Sequence, residues 1–172
     1  SIQFGVEMAF LSLQSENPFV LLPSKFTSGA ASIAINGLVW MGDEAFMKRQ
    51  IEEKIEQGFR CIKMKIGAID FEKEKALLRF IRQNFDAETM EIRVDANGAF
   101  SENEALDKIN QITGFQIHSI EQPIQKNKTD MMSVLCKNTQ LPIALDEELI
   151  GVFSLADKEA LLQKVRPQYI IL

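Results

Sequence analysis

The 172-residue sequence predicts an α/β chain in which parallel strands alternate with helices and curl into a barrel. Three observations predict it. Six β-like runs recur about 25–30 residues apart, and capped helical runs separate them. No glycine-rich phosphate loop follows the first strand, where Trp40-Met41-Gly42 stands instead. Polar chemistry gathers at the carboxyl ends of several strands, as a barrel requires and a doubly wound sheet does not.

The elements follow in order. Phe4–Leu13 (FGVEMAFLSL) reads as an apolar helix and Pro18–Gly29 as a linker, so residues 1–30 look like the tail of another domain. The barrel part is expected over residues 31–172. Ser32–Trp40 reads as its first strand, and Asp43 caps a helix over Asp43–Gln57 that Gly58 stops. Cys61–Ile66 is the second strand, with Asp70 capping Phe71–Asn84. Glu91–Asp95 is the third; its helix opens at Ser101, with Glu104 completing a capping box. Ile117–Glu121 is followed by a helix near Thr129–Lys137, and Pro142–Asp146 by a helix that Ser154 caps and that runs to Val165. Gln168–Leu172 begins a sixth strand. A complete barrel takes roughly 250 residues, so about strands 1–6 are expected here, as an internal piece of a longer protein.

Composition narrows the function. Hydrophobic residues make up 46% and charged residues 25%, which suits a packed core, and the net charge of −5 offers nucleic acid no basic footprint. No run approaches the ~18 apolar residues of a membrane span. The start, Ser1-Ile2-Gln3-Phe4, lacks the basic region of a signal peptide. Cys61 and Cys136 have no metal or redox spacing and read as small buried hydrophobes. A cytoplasmic protein with a small-molecule partner is expected, with neither nucleic acid nor membrane; open sheet edges leave self-association as a homo-oligomer possible.

The strand ends carry the chemistry. Side chains two apart share a strand face, so Lys63 and Lys65 point one way while Ile62, Met64 and Ile66 face the helices. Inward lysines near a strand end are costly unless a site needs them, and their mutual repulsion would depress both pKa values. Asp95, Glu121 and Asp146 end three successive strands on the inward side, 26 and 25 residues apart, which predicts three carboxylates at one height. Unpaired, they would repel, and three hard oxygen ligands suit Mg²⁺, with Mn²⁺ as a substitute. Arg93 shares the face of Asp95; Asn97 and Glu147 follow two of the acids and read as substrate-binding or supporting residues, and either Glu147 or its neighbour Glu148 is expected to hydrogen-bond around the site. His118 has the parity of Ile120 and is expected to face the helices, and Trp40 reads equally as pocket lining or core.

The motifs KMK at 63–65, VDANGAF at 94–100, IEQP at 120–123 and LDEEL at 145–149 resemble, in combination and order, the muconate-lactonizing branch of the enolase superfamily. The likeness runs from about Phe4 to Leu172. It implies a TIM-type (β/α)8 barrel preceded by an α+β capping domain, whose tail residues 1–30 would form. It also implies abstraction of a proton α to a carboxylate, with Lys65 as acid/base lysine, Lys63 as its companion, and Asp95, Glu121 and Asp146 as ligands of Mg²⁺. Within the branch, NGLVWMG and ALDEELIG are most similar to the o-succinylbenzoate synthases of menaquinone biosynthesis, which are dehydratases. Such enzymes set a second lysine on the sixth strand, after a run like YIIL, where this sequence stops; the piece alone is therefore expected to be inactive. The alternatives are an N-acylamino-acid racemase or dipeptide epimerase, a Schiff-base aldolase on Lys65, and a barrel piece that binds metal without turnover.

Overall fold

Apolar side chains at every second position of the first strands set the architecture of residues 36–172 in the computed structural model, which describes residues 2–172. Six short parallel strands lie in chain order: β1 (Gly37–Val39), β2 (Cys61–Lys65), β3 (Glu91–Asp95), β4 (Ser119–Glu121), β5 (Ile143–Leu145) and β6 (Tyr169–Ile170). Between them run α2 (Glu44–Glu56), α3 (Phe71–Asn84), α4 (Ala105–Ile112), α5 (Thr129–Asn138) and α6 (Leu155–Val165). Parallel neighbours need such crossovers, and the helices cover the outer face of the sheet.

That outer face is the core. Ile62, Met64, Ile92, Val94, Ile120, Ile143 and Leu145 are buried against Met47, Ile51, Leu77, Leu78, Ile81, Ile109, Ile112, Met132 and Leu135. Each full burial contributes about 1.5–3 kcal/mol before chain entropy is counted. The opposite parity leaves Lys63, Lys65, Arg93 and Asp95 on the inner face, as the alternation predicts.

The predicted caps form where the loop before the helix is free. The Asp43 carboxylate accepts the Phe46 N–H at 2.8 Å, Asp70 that of Glu72 at 3.0 Å, and the Ser154 hydroxyl that of Asp157 at 3.0 Å. At Ser101 the prediction fails. The helix starts at Ala105, and only half of the box forms, the Ser101 N–H donating to the Glu104 carboxylate at 3.3 Å. The cause lies upstream: Ala99 and Phe100 bridge to Ile124, which draws the chain across toward β4 and delays the helix. The first strand is likewise shorter than Ser32–Trp40, because its register with β2 begins at Gly37 opposite Ile62.

The unit that ends at Ile35 is separate in its contacts. Its helix α1 spans Ile2–Gln14, and residues 15–35 form turns without regular structure. The turn is tied by Ser12 and Ser15 hydroxyls, which donate to the carbonyls of Pro18 and Val20 at 2.7 and 2.8 Å.

One acid breaks the apolar stripe of α3. Glu74 precedes Leu77, Leu78 and Ile81 at helical spacing and is buried with them. Its carboxylate accepts the N–H groups of Gly67, Ala68 and Ile69 at 2.6, 3.3 and 3.4 Å, clamping the loop that leaves β2, while its second oxygen has no partner among the described residues. Burial outweighs these hydrogen bonds and the Lys108 charge, and raises the Glu74 pKa above its ordinary 4.5. From pH 4.5 up to that raised value, the folded chain keeps a proton that the unfolded chain has released, so stability falls as pH rises and then levels. Glu74→Gln keeps an acceptor for the loop but cannot titrate. Urea unfolding across this range should show the slope in the parent chain and its loss in the variant; equal slopes would assign the proton to another group.

Candidate active site

Parallel pairing aligns the inner-face residues in rows. Lys65 lies opposite Asp95, Asp95 opposite Glu121, and Glu121 opposite Ala144. Asp95 and Glu121 are therefore level, as predicted, but Asp146 is not. It stands two residues past the row, outside the ladder, and caps a 3-10 turn over Glu147–Leu149. Equal spacing in sequence does not give equal height, because neighbouring barrel strands are staggered.

The two lysines sit on the level pair of acids. Lys65 Nζ donates to Asp95 Oδ2 at 2.6 Å and to Asn97 Oδ1 at 2.7 Å. Lys63 Nζ donates to Glu121 Oε2 at 2.6 Å and lies 3.3 Å from Asp95 Oδ2. Asp95 is 0% exposed and also accepts the Asn97 N–H at 3.0 Å. Burial disfavours its carboxylate. Hydrogen bonds with Glu121, Lys65 and the Asn97 N–H, together with the Lys63 charge, outweigh that and hold it below the ordinary range.

Glu121 takes the other side of this coupling. Burial, then the adjoining Asp95, push it up to about 7 against the pull of Lys63. Asp146 is raised as well, by burial first and then by the charges of Glu147 and Asp95, which exceed those of Lys63 and Lys65. The lysine expectation is corrected at Lys63: burial does lower its pKa, but the bond to Glu121 and the charges of Asp95 and Glu121 prevail and raise it.

Four carboxyl groups, those of Asp95, Glu121, Asp146 and Glu147, thus face two ammonium groups. Among the described residues, no three His, Cys, Asp or Glu side chains are arranged as a ready metal cluster. The donor chemistry nonetheless fits a hard dication. Two acids are pushed up, the ammonium charge falls short of the carboxyl charge, and the Glu147 Oε2 atom is buried without a partner among the described residues.

The supporting residues divide. Asn97, at φ 44°, links two loops: its Oδ1 takes Lys65, and its Nδ2 donates to Glu147 Oε1 at 2.9 Å. Gly98, at φ 75°, lets the chain pass close to Gln125; a Cβ there would lie 3.0 Å from the Gln125 Cα. Arg93 directs its Nε to Glu91, at 2.6 Å, rather than to Asp95 or Glu121. Trp40, 56% exposed rather than core, places its ring centroid 5.9 Å from Lys65 Nζ. His118 reverses the expectation. Its ring stacks on Tyr169 at 4.7 Å and lines an inner-face cleft of about 330 Å³ with Lys63, Arg93 and Glu121. The ladder of β4 begins only at Ser119, so the strand parity does not reach back to residue 118.

One residue of consequence escaped the sequence reading, and a second was read there only as one of two acids able to hydrogen-bond around the site. Gln122 is 0% exposed and hydrogen-bonds the turn that bears Asp146. Glu148 is buried, accepting the Asn127 N–H and the Thr129 hydroxyl, each at 3.0 Å. Periodicity marks neither residue, since both lie in loops.

Comparison with known proteins agrees with this geometry. Residues 46–163 match the family model "Enolase C-terminal domain-like". The chain is 50% identical to an o-succinylbenzoate synthase of Desulfotalea psychrophila over all 172 residues, which is 46% of that protein. A crystal structure of MenC from D. psychrophila superposes with a TM-score of 0.84 at 49% identity, over 97% of this chain and 46% of its own. A dipeptide epimerase of Cytophaga hutchinsonii, solved with Mg and the dipeptide D-Ala-L-Val, reaches TM-score 0.70 at 22% identity, over 80% of this chain and 36% of its own, and shows the shared fold. The chain spans about half the length, or less, of the relatives it matches. With six parallel strands in order and the matched segment covering most of the sheet, the chain belongs to the enolase C-terminal domain-like family.

Proposed function

We propose that this chain is the acid- and lysine-bearing part of an o-succinylbenzoate synthase, a dehydratase of menaquinone biosynthesis working in the cytoplasm. The observation that carries the reading is the 50% identity maintained over the whole chain. The lysine–carboxylate cluster supports the same chemistry, and the two free cysteines suit a reducing compartment. Among the described residues, no helix is long and apolar enough to cross a membrane.

In this reading Asp95, Glu121 and Asp146 hold Mg²⁺, or Mn²⁺ in its place. When bound, the ion offsets the negative charge that grows on the substrate carboxylate as its α-proton leaves. The chain's own groups do the rest. Lys65 Nζ takes the proton from the carbon α to the carboxylate and later returns it to the departing hydroxyl, which leaves as water while the double bond forms. Asn97 and Asp95 aim that nitrogen from two sides. Lys63 stays an ammonium, since Glu121 and Asp95 favour its charged form.

The test is product analysis on the longest protein that carries this chain, supplied with the hydroxylated cyclohexadiene carboxylate and Mg²⁺. Aromatisation with release of water is expected, and chelation should abolish it. Epimerisation of an N-acylamino acid or dipeptide, without any dehydration, would overturn the reading in favour of a racemase.

A further inference from the structure

Asp146 has no place in the sheet ladder, so something other than strand register must fix its height. β5 pairs with β6 through Ala144 and Leu145, and Asp146 follows on a turn of its own. The buried side chain of Gln122 fills this need. Its Oε1 accepts the N–H groups of Asp146 and Glu148, each at 3.2 Å, and its Nε2 donates to the Ile124 carbonyl at 3.0 Å. Its backbone completes the stitch: the Gln122 N–H donates to the Ala144 carbonyl at 2.9 Å, and its own carbonyl accepts the Gly98 N–H at 2.7 Å. One residue therefore joins the ends of β3, β4 and β5, at a φ of 38° that non-glycine residues seldom adopt.

We propose that Gln122 is the positioning residue that brings Asp146 to Asp95 and Glu121 for a shared divalent cation. The inference rests on the metal reading above and deepens it. An uncharged amide suits the task. Gln122 can hold two backbone N–H groups without adding a fifth carboxyl to an already acidic site, and without competing with Asp146 for the cation.

The test titrates Mn²⁺ against the full chain by electron paramagnetic resonance and follows amide hydrogen exchange at residues 146 and 148. Gln122→Leu removes the acceptor at nearly constant volume. It is expected to weaken Mn²⁺ binding about 10- to 100-fold and to speed exchange at both amides. Gln122→Glu retains the acceptor and should keep both amides protected, a rescue that lost packing alone would not give. Asp146→Asn sets the scale for loss of the ligand itself. If Gln122→Leu does not fold, Gln122→Asn withdraws the amide by one methylene and should show the same two losses. Wild-type affinity in either variant overturns the role of Gln122 while leaving the metal reading intact. A parent chain that binds no Mn²⁺ overturns the metal reading, and this inference with it.

Discussion

Lys65→Met should lower kcat/KM for dehydration by about 10²- to 10⁴-fold, toward the upper end because one nitrogen would serve first as base and then as acid. The geometry singles out Lys65 over Lys63. Lys63 is locked to Glu121 at 2.6 Å and held in its charged form, which suits a fixed countercharge. Lys65 is bound as closely, to Asp95 at 2.6 Å, but it stands at the carboxyl end of β2, where Asn97 and the Trp40 ring flank it. Methionine keeps the aliphatic stem, so the fold should survive, and Asp95 retains Lys63 as a neighbour at 3.3 Å. Steady-state kinetics and a melting curve check both halves. Activity within tenfold of the parent would remove Lys65 from the chemistry.

Asp95→Asn is expected to reduce folding stability by about 3 kcal/mol, the scale for breaking a buried ion pair, besides losing the divalent cation. Asp95 is fully buried, with both ammonium groups within 3.3 Å, so the neutral amide removes the carboxylate that Lys65 binds and leaves Lys63 with Glu121. At roughly 2–4 °C per kcal/mol for a chain of this size, the melting temperature should drop by about 10 °C. Thermal unfolding gives the first number and Mn²⁺ titration the second. A drop of about 1 °C would mean that the acid is not the anchor of the cluster.

Much of this site was legible in the residue order, and what was not has a common cause. Alternation along CIKMKI and EIRVD fixed which side chains turn inward, since parity is a local property of an extended strand. The same alternation marked Asp95 and Glu121, which the structure sets side by side. Height is different: it depends on how far one strand slides past the next, and that slide is a property of the closing sheet. Asp146 therefore stands beyond the row although its spacing in sequence matches. Arg93 was read correctly as inward-facing, but its length lets it turn back to Glu91 rather than forward to the acids. Glu74 could have been found in advance, because an acid on the stripe of Leu77, Leu78 and Ile81 must be buried with them. Gln122 could not, because its partners come from loops that only the folded chain brings together.

The placement of Trp40 has a practical consequence. The sequence contains one tryptophan, and its backbone is bracketed by Gln50, whose side chain bonds both the Trp40 N–H and carbonyl at 3.0 Å. Its ring lies beside Lys65. The intrinsic fluorescence of the chain is therefore a built-in optical probe of the proposed lysine–carboxylate site. Binding of a cation or carboxylate beside Lys65 is expected to change tryptophan emission from this chain, which stopped flow would follow without a label.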